Sequence, residues 1–534
     1  MNLRRLFASF AVLLLLLALV IGLLWSPGYW LFAVVIPVIF LGIHDIWQKN
    51  HTMLRIYPVI GHLRYLFEFI RPQIQQYFVE SDTNGQPINR EYRALVYQRA
   101  KGEMDTRPFG TLFDVYQEGY EWVNHSLAPL PIQDSDPRVR FGGADCTQPY
   151  DASPLNISAM SFGALSETAI LALNKGAKSG GFAHNTGEGG ISPYHLQHGG
   201  DLIWQIGTGY FGCRNANGEF DPALFTEQAT QPTVKMIEIK LSQGAKPGHG
   251  GILPAVKLTQ EIADIRHVPM GKDIVSPAAH SAFSTPVGLL EFVAQLRELS
   301  GGKPVGFKLC IGSRVEFLAI CKAMLETGIT PDFIAVDGGE GGSGAAPIEL
   351  TNSVGTPLRD GLIFVHNALI GTGLRKKIRV IASGKVISAF HLMRLLALGA
   401  DAVSAARSMM FALGCIQSRL CNEGTCPTGI ATQNPTRYKA LDVDHKSTRV
   451  ARYHAAVIDN LKELIAAAGL TDLEQLHPRH INCRVAGTEI SNYAELFPPI
   501  TEGCLLVDNQ APDNWQRDWQ RATSTSWQEV EPAT

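Results

Sequence analysis

Charge is what the start of this chain lacks. Between Arg5 and Asp45 there is no Asp, Glu, Lys or Arg, which excludes an ordinary solvated helix or loop over that stretch. Cysteine is also scarce. Nine in 534 residues are far too few for a disulfide scaffold. Excess positive charge is missing as well, because 46 Lys and Arg stand against 49 Asp and Glu, a formal charge of -3. A surface that tracks nucleic-acid phosphates needs clustered cations, so no nucleic-acid partner is expected. Internal repeats and low-complexity segments are absent, and 46% hydrophobic with 18% charged residues excludes wholesale disorder.

The uncharged start is a pattern of its own. Leu6 to Trp25 is almost wholly apolar, and about 20 helical residues rise roughly 30 Å, the thickness of a bilayer core. Ser26-Pro27-Gly28-Tyr29 breaks the run, and a second apolar stretch, Trp30 to Ile43, carries Pro37 inside it. It is short for a span and needs its flanks or a tilt. Arg4 and Arg5 precede the pair, Lys49, Arg55 and Arg64 follow it, and the turn carries no charge. Cations are retained on the cytoplasmic side, so both ends are expected there. Residues 1–48 therefore predict a transmembrane helical hairpin in an inner or plasma membrane, with the catalytic part cytoplasmic. A cleaved secretory signal fits poorly, since no small-x-small site follows. The rival is a twin-arginine export signal, Arg4-Arg5 before Leu-Phe.

Residues 49–150 mix helical stretches with turn-rich segments such as Asp82-Thr83-Asn84-Gly85 and are read as an entry region packed on the main domain. From Asn156 short apolar runs alternate with helix-like stretches. The candidate strands are residues 156–160, 182–186, 236–241, 273–276, 305–309, 333–337, 379–383 and 402–405. Eight such runs predict an α/β fold, a (β/α)8 TIM barrel over 151–435, rather than an open sheet. Residues at the C-terminal strand ends line the active site of such a barrel. Here they are Met160, Glu188, Lys240, Lys308, Asp337 and Ser383-Gly384. Residues 436–534 contain a helix-like run, 450–468, and a polar, Trp-bearing tail.

Cys415, Cys421 and Cys426 are spaced C-x5-C-x4-C, with Pro427 after the last. Three thiolates on one loop suit an iron–sulfur cluster, and three ligands suit the 3Fe-4S type. A structural zinc site, which normally takes four ligands, and three unconnected buried thiols are the alternatives. The remaining six cysteines are read as ordinary buried thiols.

The stretch from Ala412-Leu-Gly-Cys415 through Cys421-Asn-Glu-Gly-Thr-Cys426-Pro to Gln433 resembles the cluster loop of glutamate synthases. So do Asn185-Thr-Gly-Glu188-Gly-Gly190, Lys240-Leu-Ser-Gln243-Gly-Ala-Lys246-Pro-Gly-His-Gly-Gly251 and Asp337 to Pro347. The similarity runs from about Arg107 to Gly487 in family order. It implies the FMN-binding synthase domain, a barrel holding FMN and a 3Fe-4S cluster, with reductive formation of glutamate from 2-oxoglutarate and ammonia.

The resemblance also implies roles. Ser158, Met160 and Ser161 belong to the loop under the flavin ring. Asp337, Gly338 and Gly339 begin the loop over it. The flavin phosphate is expected on Gly384, Lys385, Ala405, Ala406 and Arg407, after the last two strands, where barrel phosphates commonly sit. Lys308, at a strand end aimed inward, suits the negative charge of a reduced flavin. Lys240, Gln243, Lys246 and Arg266 lie where the family binds 2-oxoglutarate, and cations with an amide donor match a dicarboxylate. Glu188 is either a substrate-side carboxylate or a gate to the cluster.

Two positions depart from the family's Lys-Pro-Gly-Glu-Gly-Gly-Gln loop: His249 replaces the Glu and Ile252 the Gln. No cysteine precedes Cys146, so a glutaminase half with an N-terminal cysteine is not expected, and ammonia comes from solution or a partner. Gly339-Glu-Gly341-Gly-Ser-Gly344 satisfies G-x-G-x-x-G, but no separate βαβ unit follows it. Electrons are therefore expected from a ferredoxin-like or membrane-associated donor protein. The alternatives are an FMN oxidoreductase acting on a different amino or keto acid, and a membrane-tethered electron-transfer subunit.

Overall fold

The computed structural model describes residues 3–132 and 136–531; the outermost residues of the expected first and last segments lie outside that range. The chain divides into two compact units, residues 1–90 and 91–534.

The first unit is helical. Helix α1 spans Leu3–Leu24, a 3-10 turn covers Ser26–Leu31, and α2 spans Phe32–Trp47 with Pro37 inside it. Two shorter helices follow, α3 (Thr52–Ile56) and α4 (Gly61–Ile74), the latter running into a single π turn, Gln75–Val79. Helices α1 and α2 meet through a small residue. A Cβ on Gly42 would lie 2.0 Å from the Phe7 ring, so only glycine permits that approach. Arg4–Leu24 and Ser26–Trp47 are long and apolar enough to cross a membrane by length and composition, and most of their side chains are unburied.

The second unit is built on a closed parallel barrel. Its strands are β1 (Leu155–Ile157), β2 (His184–Asn185), β3 (Leu202–Ile206), β4 (Val234–Lys240), β5 (Val305–Leu309), β6 (Phe333–Asp337), β7 (Arg379–Ser383) and β8 (Ala402–Ala405). The last four coincide with the expected runs. The expected strand at 273–276 does not belong to the barrel: Ile274–Val275 pairs antiparallel with Ile252–Leu253 in a ribbon outside it. Its place is taken by Leu202–Ile206, fully buried between β2 and β4. Lys240 consequently ends the fourth strand rather than the third.

The barrel's two ends differ in chemistry. At the N-terminal end, Phe141 from an antiparallel hairpin (Val139–Phe141 with Tyr150–Ala152) packs with Ile203, Met236, Phe333 and Ile381. Its ring meets Phe333 edge-on at 5.8 Å, closing that end with apolar side chains worth about 1.5–3 kcal/mol each when buried. The polar residues collect at the other end. Outside the barrel, helix Val443–Ala467 packs along helix Glu167–Gly180. Gly176 sits where a Cβ would meet Ser447 and Val450 at 2.9 Å.

Candidate active site at the C-terminal mouth of the barrel

Lys240, the last residue of β4, donates from Nζ to Glu188 Oε1 at 2.7 Å. Glu188 follows β2 in a glycine-rich turn, and the turn is tight because it must be. Gly187 has φ 65°, and a Cβ there would stand 2.7 Å from the Ser161 amide of the loop after β1. Burial alone pushes the Glu188 carboxyl up, but Lys240, Arg266 and Lys246 together hold it below its usual range. Three cations thus face one carboxylate. Burial lowers the Lys240 ammonium, with Glu188 opposing and Lys308 adding to the shift. Lys246 is lowered to about 8, by burial first, and its Nζ donates to the Gly250 carbonyl at 2.9 Å. The buried Arg266 guanidinium donates to the Phe162 carbonyl at 3.1 Å and stacks over Phe211 at 5.2 Å, with Nε left unpaired.

Glu188, Lys240, Ser242, Gln243, His249 and Gly251 line one pocket here. Gln243 is half-buried and His249 exposed; Ile252 begins the ribbon outside the barrel. Lys308, the penultimate residue of β5, has Nζ 3.9 Å from Asp337 Oδ2 at the end of β6. Asp337 also accepts the Gly244 N–H at 2.9 Å. The loop after β4 crosses the loop after β6 so closely that a Cβ on Gly244 would fall 1.7 Å from the Gly338 carbonyl oxygen. Gly338 in turn donates to the Ser383 carbonyl at 3.0 Å, and Gly339 to Thr356 at 2.8 Å.

The flavin positions lie on neighbouring strands. Ser158, after β1, and Ser383, at the end of β7, are 3.3 Å apart through their hydroxyls. Met160 is buried beside Ser161. Gly384 and Lys385 follow β7; Ala406 caps the helix Arg407–Leu413 without any side-chain hydrogen bond. Burial lowers the Lys385 ammonium and Arg407 lowers it further, while Arg407 keeps a buried Nη1 with no partner. Two mutually repelling cations and an unsatisfied buried donor fit a phosphate between β7 and β8. The residues at this mouth therefore fit FMN.

The thiol loop follows directly. Cys426 is buried, its Sγ is 3.4 Å from the Thr428 hydroxyl, and backbone N–H groups of Thr428, Ile430 and Ala431 hold its thiol below the ordinary range against the effect of burial. Cys415 receives the Gln417 N–H at 3.5 Å. The three cysteines lie close enough to raise one another's thiols, after burial as the main cause in Cys415 and Cys421. Among the described residues no three His, Cys, Asp or Glu side chains converge on a point as a single metal ion requires.

Sequence reasoning missed several residues. Glu238, two residues before Lys240 on the same strand face, accepts from Asn185 at 2.9 Å and Gln205 at 2.6 Å inside the barrel. A charged side chain at period-2 spacing in an apolar strand was the available signal. His280 bonds the Lys240 carbonyl at 2.9 Å and Tyr210 Oη at 3.1 Å, and buried Lys257 donates to the Cys421 carbonyl. Nothing local announces either contact.

A closed (β/α)8 barrel with cations, glycine-rich loops and a thiol loop at its C-terminal mouth defines a barrel enzyme. The model described as the conserved region in glutamate synthase matches residues 130–471. The glutamate synthase large subunit-like protein YerD of Bacillus subtilis (strain 168) is 37% identical over 528 residues, covering 91% of this chain and 98% of its own. The archaeal glutamate synthase (NADPH) of Methanocaldococcus jannaschii is 37% identical over 336 residues, 63% of this chain and 62% of its own. Among solved structures, a flavocytochrome b2 variant with pyruvate bound matches with a TM-score of 0.42 at 12% identity, covering 78% of this chain and 85% of that one. The chain belongs to the glutamate synthase family, oxidoreductases that act on CH–NH2 groups.

Proposed function

We propose that this chain forms L-glutamate by reducing 2-iminoglutarate, made from 2-oxoglutarate and ammonia. The observation that carries the reading is the imbalance at the mouth: Lys240, Lys246 and Arg266 act on the one Glu188 carboxylate, while Lys308 is offset by Asp337, and the remaining surplus of cations matches the two carboxylates of the substrate. Bound FMN supplies the hydride, and a 3Fe-4S cluster on Cys415, Cys421 and Cys426 supplies electrons one at a time. The protein's part is position and charge. Lys246 and Arg266 take one carboxylate, Gln243 and Lys240 orient the other end, and the Gly187–Gly190 turn sets Glu188 beside them. Glu188, its carboxyl held below the usual range by the surrounding cations, favours the charged form of Lys240 against the effect of burial. Lys308, paired with Asp337, faces the flavin position and favours negative charge there.

Residues 1–48 anchor the chain in a membrane, with the catalytic unit in the cytoplasm. The electron donor is a ferredoxin-like or membrane-associated protein; the archaeal relatives carry NADPH in their names. A second reading, a different keto acid on the same barrel, is favoured by Ile252 and His249 in the substrate loop. One experiment separates the two. The protein is photoreduced anaerobically and mixed with 2-oxoglutarate and ammonium in a stopped-flow instrument. The expected result is ammonium-dependent flavin reoxidation with glutamate appearing, lost in Lys246→Ala. A loaded flavin that ignores this pair but is reoxidised by another keto acid with ammonium moves the function to the second reading.

A further inference from the structure

Helix α4 carries an apolar stripe that is left largely exposed among the described residues. Leu63, Leu66, Phe67, Ile70 and Ile74 recur at three- and four-residue spacing, which places them on one helix face. Four of the five are exposed, Phe67 at 59% and Leu66 at 50%, and Ile70 is only half-buried. The π turn that continues the helix leaves Phe78 85% exposed. A water-facing helix with five partly or largely exposed apolar residues on one face is unfavourable as it stands. Arg64 and Arg71 flank the stripe, and both are exposed.

The structure also fixes the level at which this helix begins. Asp45, in the last turn of α2, is fully buried and accepts from the Val59 N–H at 2.9 Å and His62 Nε2 at 2.9 Å. Val59 is held at φ 63°, a conformation that β-branched residues avoid. Gly61 has Leu54 within 2.9 Å of where its Cβ would be, so α3 and α4 meet without room for a side chain. Arg4 Nε, at the start of α1, donates to the Arg55 carbonyl at 2.8 Å. The two ends of the apolar hairpin and the first turn of α4 are thereby clasped at one height. If the hairpin spans a bilayer, that height is its surface.

We infer that α4 lies along the surface of a bilayer containing anionic lipid, its Leu63–Ile74 stripe turned into the acyl boundary and Arg64 and Arg71 reaching the headgroups. This rests on the hairpin reading above and adds a second, in-plane contact to it. Amphipathic helices with basic flanks bind membranes in this way, and continuity with the hairpin favours lipid over a protein as the occupant.

The test uses the full chain in vesicles of phosphatidylcholine with phosphatidylglycerol, with a photo-crosslinking phenylalanine derivative placed at Phe67, at Glu68 or at Leu17 in α1. Lipid adducts are read by mass spectrometry. The expected result is lipid capture at Leu17 and Phe67, with several-fold less at Glu68. On these vesicles Arg64→Gln and Arg71→Gln are each expected to cut capture at Phe67, roughly fivefold per arginine, without altering Leu17. Capture at Leu17 with none at Phe67, or a Phe67 adduct to a second copy of the chain, overturns the inference and leaves the hairpin standing. Equal capture at Phe67 in pure phosphatidylcholine overturns the anionic component. Failure at Leu17 removes the hairpin reading and the inference together.

Discussion

Lys246 is the residue whose environment can be followed most directly with pH. Burial lowers its ammonium to about 8; the nearby Lys240 adds to this and Glu188 opposes it. A bound dicarboxylate favours the charged form, so binding raises that value and draws in a proton wherever the free ammonium has already lost one. Affinity for 2-oxoglutarate is therefore flat below about pH 8 and weakens above it, by up to about tenfold per pH unit. Arg266, lowered by burial to about 10, stays charged over most of that range. A titration of the flavin spectrum with 2-oxoglutarate between about pH 7 and 9.5 checks this. Lys246→Met should bind more weakly at pH 7 and lose the slope; a slope that survives unchanged assigns the titration to another group. Lys246 and Lys240 were legible in the sequence because strand-end loops place charge at the mouth of a barrel. Glu238, Gln205 and His280 were not, because their significance lies in contacts between strands far apart in the chain.

At the scale of elements, the insertion between β4 and β5 connects the substrate loop to the thiol loop. It leaves Lys246, passes through the ribbon of Ile252–Leu253 and Ile274–Val275, and makes a short 3-10 turn, Ala255–Lys257. From that turn Lys257 reaches the Cys421 carbonyl. The same insertion misled the strand assignment. Asp273-Ile-Val-Ser276 has the composition of a barrel strand, and a four-residue apolar run does not disclose its partner. Leu202–Ile206 is not legible as a strand because Trp204 and Gln205 interrupt the aliphatic pattern that marks a buried parallel strand. The strands at 305, 333, 379 and 402 were legible because each is an apolar run closed by a loop of small or charged residues. Lys257 is a buried cation that reaches the thiol loop, so its charge would favour the more reduced, more negative state of the proposed cluster. Lys257→Met should shift the cluster's midpoint to more negative values in a potentiometric titration followed by electron paramagnetic resonance, with Lys257→Arg restoring most of it. An unchanged midpoint at full cluster content would remove Lys257 from that role.

For the whole molecule, the proposed hairpin makes a prediction about which side of a membrane receives the catalytic unit. Arg4 and Arg5 stand before the hairpin, Lys49, Arg55, Arg64 and Arg71 after it, and the Ser26–Leu31 turn has no charge. Translocating either end would carry several cations across, whereas translocating the turn carries none. On the proposed hairpin reading, residues 49–534 are therefore expected in the cytoplasm and Ser26 on the far side. Ser26 is exposed at the turn, so Ser26→Cys introduces a thiol without disturbing packing. In intact cells a membrane-impermeant maleimide should label the Ser26→Cys chain and leave the native chain untouched until the cells are opened. The reverse pattern, native cysteines labelled in intact cells with nothing gained from Ser26→Cys, would mean that Arg4-Arg5 directs export. It would also put the barrel in a compartment where a cytoplasmic ferredoxin cannot reach it, so the same labelling experiment constrains the electron donor.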